Sequence, residues 1–299
     1  MEDSRRALEL ASCELCFRRC RVDRRKERGY CGAGIMPRVA LASLHTGEEP
    51  CLAGERGAGT VFFSHCSLRC CFCQNHPISR EGRGRDVTVE ELAEMFLELQ
   101  GQGAEVLDLV TPTHYAPQVR DAIFLARQRG LSLPVAYNTS ACERAETIAA
   151  LAGAVDIFLP DLKYMDEENA RCYSDAPGYF PAASAAIRKM VEVAGPVQMD
   201  GNGRMRRGVL VRHLVLPGCR KESMAILDWL WQTFGDDIWI SLMRQYTPMY
   251  RSSEHREIHR RLTTFEYESV VDHAIELGIT QCYTQGADAA STAFVPAFE

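Results

Sequence analysis

From residue 60 onward, short apolar runs alternate with stretches whose apolar residues recur at helical spacing. Thr60–Phe63 reads as a strand. Val89–Leu99 follows as an amphipathic helix, with Val89, Leu92, Ala93, Phe96 and Leu97 apolar among acids and Thr88 as its cap. The alternation continues with strands at Val106–Val110, Pro134–Asn138 and Asp156–Leu159, and helices at Val119–Arg129 and Glu143–Leu151. After a looser stretch come a helix at Ala182–Val193, a strong strand at Val209–Leu216, a helix at Met224–Phe234, a strand at Ile238–Met243 and a helix at Phe265–Leu277. Strand–helix alternation predicts parallel strands joined by right-handed crossovers. Six such units suggest an α/β fold with an open, partial (β/α)6 barrel, whose ligand groups sit at the C-terminal ends of the strands.

The first 50 residues break this pattern. They carry Cys13, Cys16, Cys20 and Cys31 in a C-x2-C-x3-C-x10-C arrangement, with Gly29, Gly32 and Gly34 around the last thiol and Cys51 as a spare ligand. So few large apolar residues cannot easily build a core, so a staple of zinc or a second iron–sulfur cluster is the physical expectation. The predicted division is residues 1–50 as a Cys-rich metal-binding extension and 51–299 as the barrel. Composition changes little: 46% hydrophobic and 25% charged residues are ordinary for a globular chain. Thirteen cysteines without a signal-like N-terminus point to metal or catalytic use in the cytoplasm, not to disulfides. No apolar run approaches a membrane span. A net charge of −6 argues against general nucleic-acid binding. The exception is local: seven basic residues between Arg18 and Arg28 form a solvated loop, a docking patch for an acidic electron donor, or a contact for RNA phosphates, the last without any aromatic platform.

The sharpest chemistry lies in FFSHCSLRCCFCQN. Cys66, Cys70 and Cys73 have C-x3-C-x2-C spacing, with Phe72 before the third cysteine and Asn75 after it. Four-iron clusters are ordinarily held by four cysteines, so three leave one iron with an open position. A Cys3His zinc site with His76 is the competing reading, and Cys71 is left out as a small buried hydrophobe. The run resembles the cluster loop of the radical S-adenosylmethionine (SAM) superfamily. The chain as a whole resembles the glycyl-radical-enzyme activase group, in the branch of the pyruvate formate-lyase activating enzymes.

That resemblance implies a [4Fe-4S] cluster on Cys66, Cys70 and Cys73, with SAM on the open iron and Phe72 and Asn75 beside it. It also implies reductive cleavage of SAM to a 5′-deoxyadenosyl radical that abstracts hydrogen. The family's Gly-Gly-Glu motif is missing, and Thr111 and Thr113 are the nearest polar substitutes. Asn138 and Ser140 match the turn that touches the cofactor ribose or carboxylate. Asp161 and Lys163 match an activase Asp-x-Lys, Arg212 the arginine facing the cofactor carboxylate, and Gln245 the adenine end. An electron donor such as flavodoxin or ferredoxin is implied as a partner. The substrate stays open between a glycine in a partner protein and a small molecule such as a sugar. For an epimerase-like reaction, Cys142 is a candidate hydrogen donor. The non-enzymatic alternative is a zinc-stapled RNA-binding or scaffold protein.

Overall fold

The computed structural model describes residues 9–289 and residue 298. The sheet opens with β1 (Arg38–His45), which turns through the short α1 (Pro50–Ala53) into β2 (Ala58–Phe63). Next come α2 (His76–Ser79), β3 (Arg85–Asp86), α3 (Val89–Gly101), β4 (Leu107–Val110), α4 (Ala116–Gln128), β5 (Val135–Thr139), α5 (Ala145–Ala149) and β6 (Ile157–Pro160). The second half has α6 (Glu167–Ser174), α7 (Tyr179–Ala194), β7 (Gln198–Met199), β8 (Met205–Leu214), α8 (Arg220–Phe234), β9 (Trp239–Met243), α9 (Thr264–Glu276) and β10 (Cys282–Thr284).

The strand order is β10-β9-β8-β6-β5-β4-β2-β1-β3, with β7 added to β8. The run β2, β4, β5, β6, β8, β9 is parallel throughout, so the six expected units are present in an α/β partial barrel. Local chemistry explains the best-read elements. Thr88 accepts from the Glu91 N–H at 3.1 Å while Glu91 accepts from the Thr88 N–H at 2.8 Å, a reciprocal cap that starts α3 where its apolar face begins. That face, Leu92, Ala93, Phe96 and Leu99, is buried against the sheet.

Three elements differ from the expectation. β1, inside the stretch read as extension, pairs antiparallel with β2 and so belongs to the sheet. β10 adds a seventh parallel strand beyond β9. α6 fills the stretch read as loose, capped by Asp166, which accepts from the Asn169 N–H at 2.9 Å.

The N-terminal end of the barrel is stoppered. Cys51 and Leu52 of α1 pack with Ala58, Ala136, Ile157, Leu159 and Leu210 in a small buried cluster beneath the lumen. Residues 10–37 lie across the opposite end, on the loops after β4 and β5. The Phe17 N–H donates to the Cys142 carbonyl at 2.9 Å, and the Arg144 N–H to the Leu15 carbonyl at 3.1 Å. Among the described residues no helix is long and apolar enough to cross a membrane.

Candidate active site

β2 delivers the chain to the C-terminal end of the barrel, where the cysteine loop begins. His65 is left-handed at φ 76°, and its N–H donates to the Ile78 carbonyl at 2.9 Å, reversing the chain just before Cys66. The loop is pinned to the end of α6 by N–H donation from Arg69 to Ser174 (3.0 Å) and from Cys71 to Tyr173 (2.8 Å). Each of the three expected thiols has its own polar neighbour. The Leu68 N–H points at Cys66 Sγ (3.4 Å), the Ser174 hydroxyl donates to Cys70 Sγ (3.0 Å), and Ser79 Oγ lies 3.3 Å from Cys73 Sγ. Tyr164 in turn meets Ser174 at 2.7 Å.

Burial, then the charge of Cys70, pushes Cys66 up to about 12 and Cys73 to about 11. Burial disfavours the thiolate at Cys66 and Cys73, so holding them as thiolates calls for a positively charged centre, which iron supplies. Among the described residues no three His, Cys, Asp or Glu side chains converge on a single ion. His76 does not join the three thiols: its ring stacks on Tyr250 with centroids 4.6 Å apart. Cys71 is buried and is not part of the cavity lining.

The thiols open into a cavity of about 400 Å3 inside the barrel. Phe72, Asn75, Thr111, Asn138, Ser140, Asp161, Lys163, Arg212 and Gln245 all line it. Phe72 meets Tyr246 edge to face at 5.6 Å, and Gln74 donates to the Gln245 carbonyl at 3.3 Å, tying the loop to the end of β9. Lys163 Nζ reaches Asp161 Oδ2 at 2.6 Å. Burial alone would lower this lysine, but the charges of Asp161 and Cys70 more than offset it and hold it above its usual range. Tyr179, which the sequence did not suggest, braces this rim: its hydroxyl lies 2.7 Å from the Asp161 carbonyl and accepts from the Lys163 N–H at 3.0 Å.

Several residues sit elsewhere than expected. Thr113 is not in the lining; its hydroxyl is 3.1 Å from Thr139 and also bonds Glu143, because a short helical turn after Pro112 swings it behind the strand ends. Cys142 is likewise outside the cavity, fully buried with its thiol donating to the Ser140 carbonyl at 3.4 Å. Arg212 faces the lumen as strand alternation requires, while His213 points outward to the Leu162 carbonyl (2.7 Å) and Ser223 (2.9 Å). There Arg212 already pairs with two glutamates. Its Nε donates to Glu49 at 2.9 Å, and its Nη2 is shared between Glu48 and Glu49. Both glutamates precede α1 and line the same cavity. Their sequence signal was the GEEP run at the barrel stopper, 163 residues from the arginine it neutralises.

Of the N-terminal cysteines, Cys20 and Cys31 flank Gly29, where a Cβ would lie 3.3 Å and 3.5 Å from their sulfurs. Cys13 is buried, 3.8 Å from the Arg24 guanidinium. Burial pushes Cys16 up to about 12, with Cys31 and Cys13 adding to the effect. Cys51 is far from this group in role: it packs into the stopper as a small hydrophobe.

Residues 60–229 match the family model described as Radical SAM superfamily. The chain therefore belongs to the radical SAM superfamily, enzymes whose cofactors are a [4Fe-4S] cluster and SAM. It is 27% identical over 285 residues to the Methanocaldococcus jannaschii protein MJ0674, covering 91% of this chain and 77% of that one. Among solved structures it resembles Streptococcus suis SuiB bound to precursor peptide SuiA, with TM-score 0.52 and 12% identity, over 74% of this chain and 46% of SuiB. SuiB bound to SAM gives TM-score 0.51 and 11% identity, over 76% of this chain and 50% of that one. The chain thus spans about half the length of these solved relatives, and at such identities the likeness concerns the fold alone.

Proposed function

We propose that this protein cleaves SAM reductively at a cluster held by Cys66, Cys70 and Cys73 and directs the resulting radical to a glycine of a partner protein, as an activase does. When bound, cluster and SAM supply a one-electron carbon–sulfur cleavage that yields a 5′-deoxyadenosyl radical. The chain's own residues bind and orient. Ser79, Ser174 and the Leu68 N–H direct hydrogen-bonding groups at the three sulfurs. Asp161 and Lys163 offer a carboxylate and an ammonium at the rim for the zwitterionic end of SAM, with Thr111, Asn138 and Ser140 as neutral partners. Phe72, Asn75 and Gln245 line the adjoining wall, suited to the adenosine. The observation that carries this reading is that the three thiols and these polar groups, drawn from five strand ends, face one cavity.

Ligand cavities commonly span about 300–1,000 Å3, and about 400 Å3 is at the low end. Arg18 and Arg69, which hold the Tyr30 ring between them at 4.0 and 4.2 Å beside the cysteine loop, suit the approach of an acidic electron donor. Cys13, Cys16, Cys20 and Cys31 are proposed as ligands of zinc or an auxiliary cluster, supported by the close flanking of Gly29.

Anaerobic protein given reductant and SAM should release 5′-deoxyadenosine, and Cys70→Ala should abolish it, a loss of at least about 100-fold since the cluster carries the chemistry. Unaltered release from that variant would refute the assignment. Metal analysis of the same preparation, finding iron in excess of one four-iron cluster or stoichiometric zinc, decides what the N-terminal cysteines hold.

A further inference from the structure

The charges that line the cavity do not balance. Lys163 is matched by Asp161 at the rim. Deeper, Arg212 is matched by Glu49 through Nε at 2.9 Å and again through Nη2. Glu48 shares that same Nη2, so one guanidinium serves two carboxylates. The side chains of all three are about nine-tenths buried. A third acid lies against them. Asp108 and Val110, two residues apart on β4, share a face, so the Asp108 side chain points into the barrel; it is not itself in the cavity lining but lies behind Asn138, which is. Asn138 donates to Asp108 Oδ2 at 3.3 Å, while Oδ1 has no hydrogen-bond partner and the residue is fully buried. Burial, then the charge of Glu48, raises Asp108 well above the usual carboxylate range, whereas Arg212 keeps Glu49 below it despite burial.

Two glutamates on one guanidinium leave negative charge unmatched, while the rise at Asp108 favours its neutral form. Surplus negative charge in a desolvated site is costly unless a cation compensates it. A bare metal ion does not suit the place: Arg212 stands among the acids, and among the described residues no three of them converge on a single ion. A nitrogen cation, which brings its own N–H donors, meets the surplus charge.

We propose that Glu48 and Glu49, paired to Arg212 in the cavity lining and backed by the unsatisfied Asp108 behind Asn138, form a subsite for a cationic nitrogen of the substrate, a primary ammonium or guanidinium. This deepens the radical SAM reading and rests on it only in taking the cavity as the active site. The substrate would then enter with a basic group leading, its reacting carbon held back near the cysteine rim. For a protein substrate, the inserted segment would carry an arginine or lysine beside the target.

The test uses the anaerobically reconstituted holoenzyme with SAM and calorimetric titration of two probe pairs. These are Nα-acetyl-arginine amide against its neutral isostere Nα-acetyl-citrulline amide, and Nα-acetyl-lysine amide against Nα-acetyl-norleucine amide. Each cationic probe is expected to bind at least about tenfold tighter than its neutral partner, and the preference should shrink to less than about threefold in Glu48→Gln. Equal binding of cationic and neutral probes by the wild-type holoenzyme overturns the proposal and requires no variant to fold. So does a Glu48→Gln variant whose affinity for SAM falls while its preference among the probes persists, since the acids would then be serving the cofactor's own ammonium. Deoxyadenosine release in the same preparation separates the two readings. Release without any cationic preference removes the subsite alone, and no release removes the enzymatic reading itself.

Discussion

Lys163 shows how much a single side chain decides here. Its ammonium is 2.6 Å from Asp161, both mostly buried, in the wall of the cavity. Taking away the lysine alone strands a carboxylate in a desolvated place, which typically costs about 3–5 kcal/mol. Lys163→Met should therefore lose that much stability by anaerobic denaturant titration, and Asp161→Asn combined with Lys163→Met should recover most of it while SAM binding stays weak. If the two single losses simply add in the double variant, the residues are not a coupled pair and their assignment as one cofactor contact fails. Asp161 and Lys163 were legible in the sequence because they end an apolar strand, where ligand groups collect, in an Asp-x-Lys that resembles the activase pattern. Arg212 was half legible. A charge in a buried strand demands a partner, but nothing local says that the partner is a glutamate pair across the barrel and not a ligand. Thr113 misled for a related reason: position after a strand was readable, the helical turn that redirected its hydroxyl toward Thr139 and Glu143 was not.

At the level of elements, strands and helices with strong periodicity emerged close to their expected bounds, and weak or half-exposed ones did not. β1 has one buried residue in eight, so its sequence RVALASLH carries little strand signal until β2 supplies a partner. The three-residue β10 is too short to show alternation at all. The cysteine loop is an element whose shape depends on a backbone detail invisible to hydropathy. Gly82 takes φ +69°, and a Cβ there would lie 2.6 Å from Cε1 of His65, the residue that turns the chain into Cys66. A side chain at positive φ costs about 1–3 kcal/mol, and the contact adds a forced shift of the His65 ring. Gly82→Ala should accordingly lower stability by about 2 kcal/mol and reduce the iron incorporated on reconstitution. Wild-type iron content together with a wild-type melting midpoint would mean that the loop does not depend on this close approach.

For the whole molecule, what distinguishes this chain from a bare partial barrel is the N-terminal strap over the loops after β4 and β5. Its anchor is Arg24, 2% exposed, which donates to the His114 carbonyl at 2.7 Å and through Nε to the Gly34 carbonyl at 3.1 Å, with its guanidinium 5.7 Å from the Tyr115 ring. Next to it, His114 Nε2 lies 2.7 Å from the Ser64 carbonyl and must donate, so Arg24 connects the strap to the segment that starts the cysteine loop. The basic run that contains Arg24 suggested a solvated face or a docking patch; for this one residue the outcome is the reverse, a buried cation satisfied by carbonyls. The strap also touches the loop directly, with Arg18 Nε donating to the Ser67 carbonyl at 3.2 Å. A cover fixed this way should keep solvent and oxygen from the cysteines beneath it. Arg24→Met keeps much of the side-chain volume but strands the buried His114 carbonyl, worth about 1–3 kcal/mol, and the part-buried Gly34 carbonyl. The strap should then open locally before the barrel melts, because it contributes few of the sheet's contacts of its own. The expected signature is a cluster absorbance that bleaches in air severalfold faster than in the wild type, at a temperature where far-ultraviolet circular dichroism still reports an intact barrel. Bleaching at the wild-type rate, with stability lowered as predicted, would confine Arg24 to holding the strap and remove shielding from the strap's role.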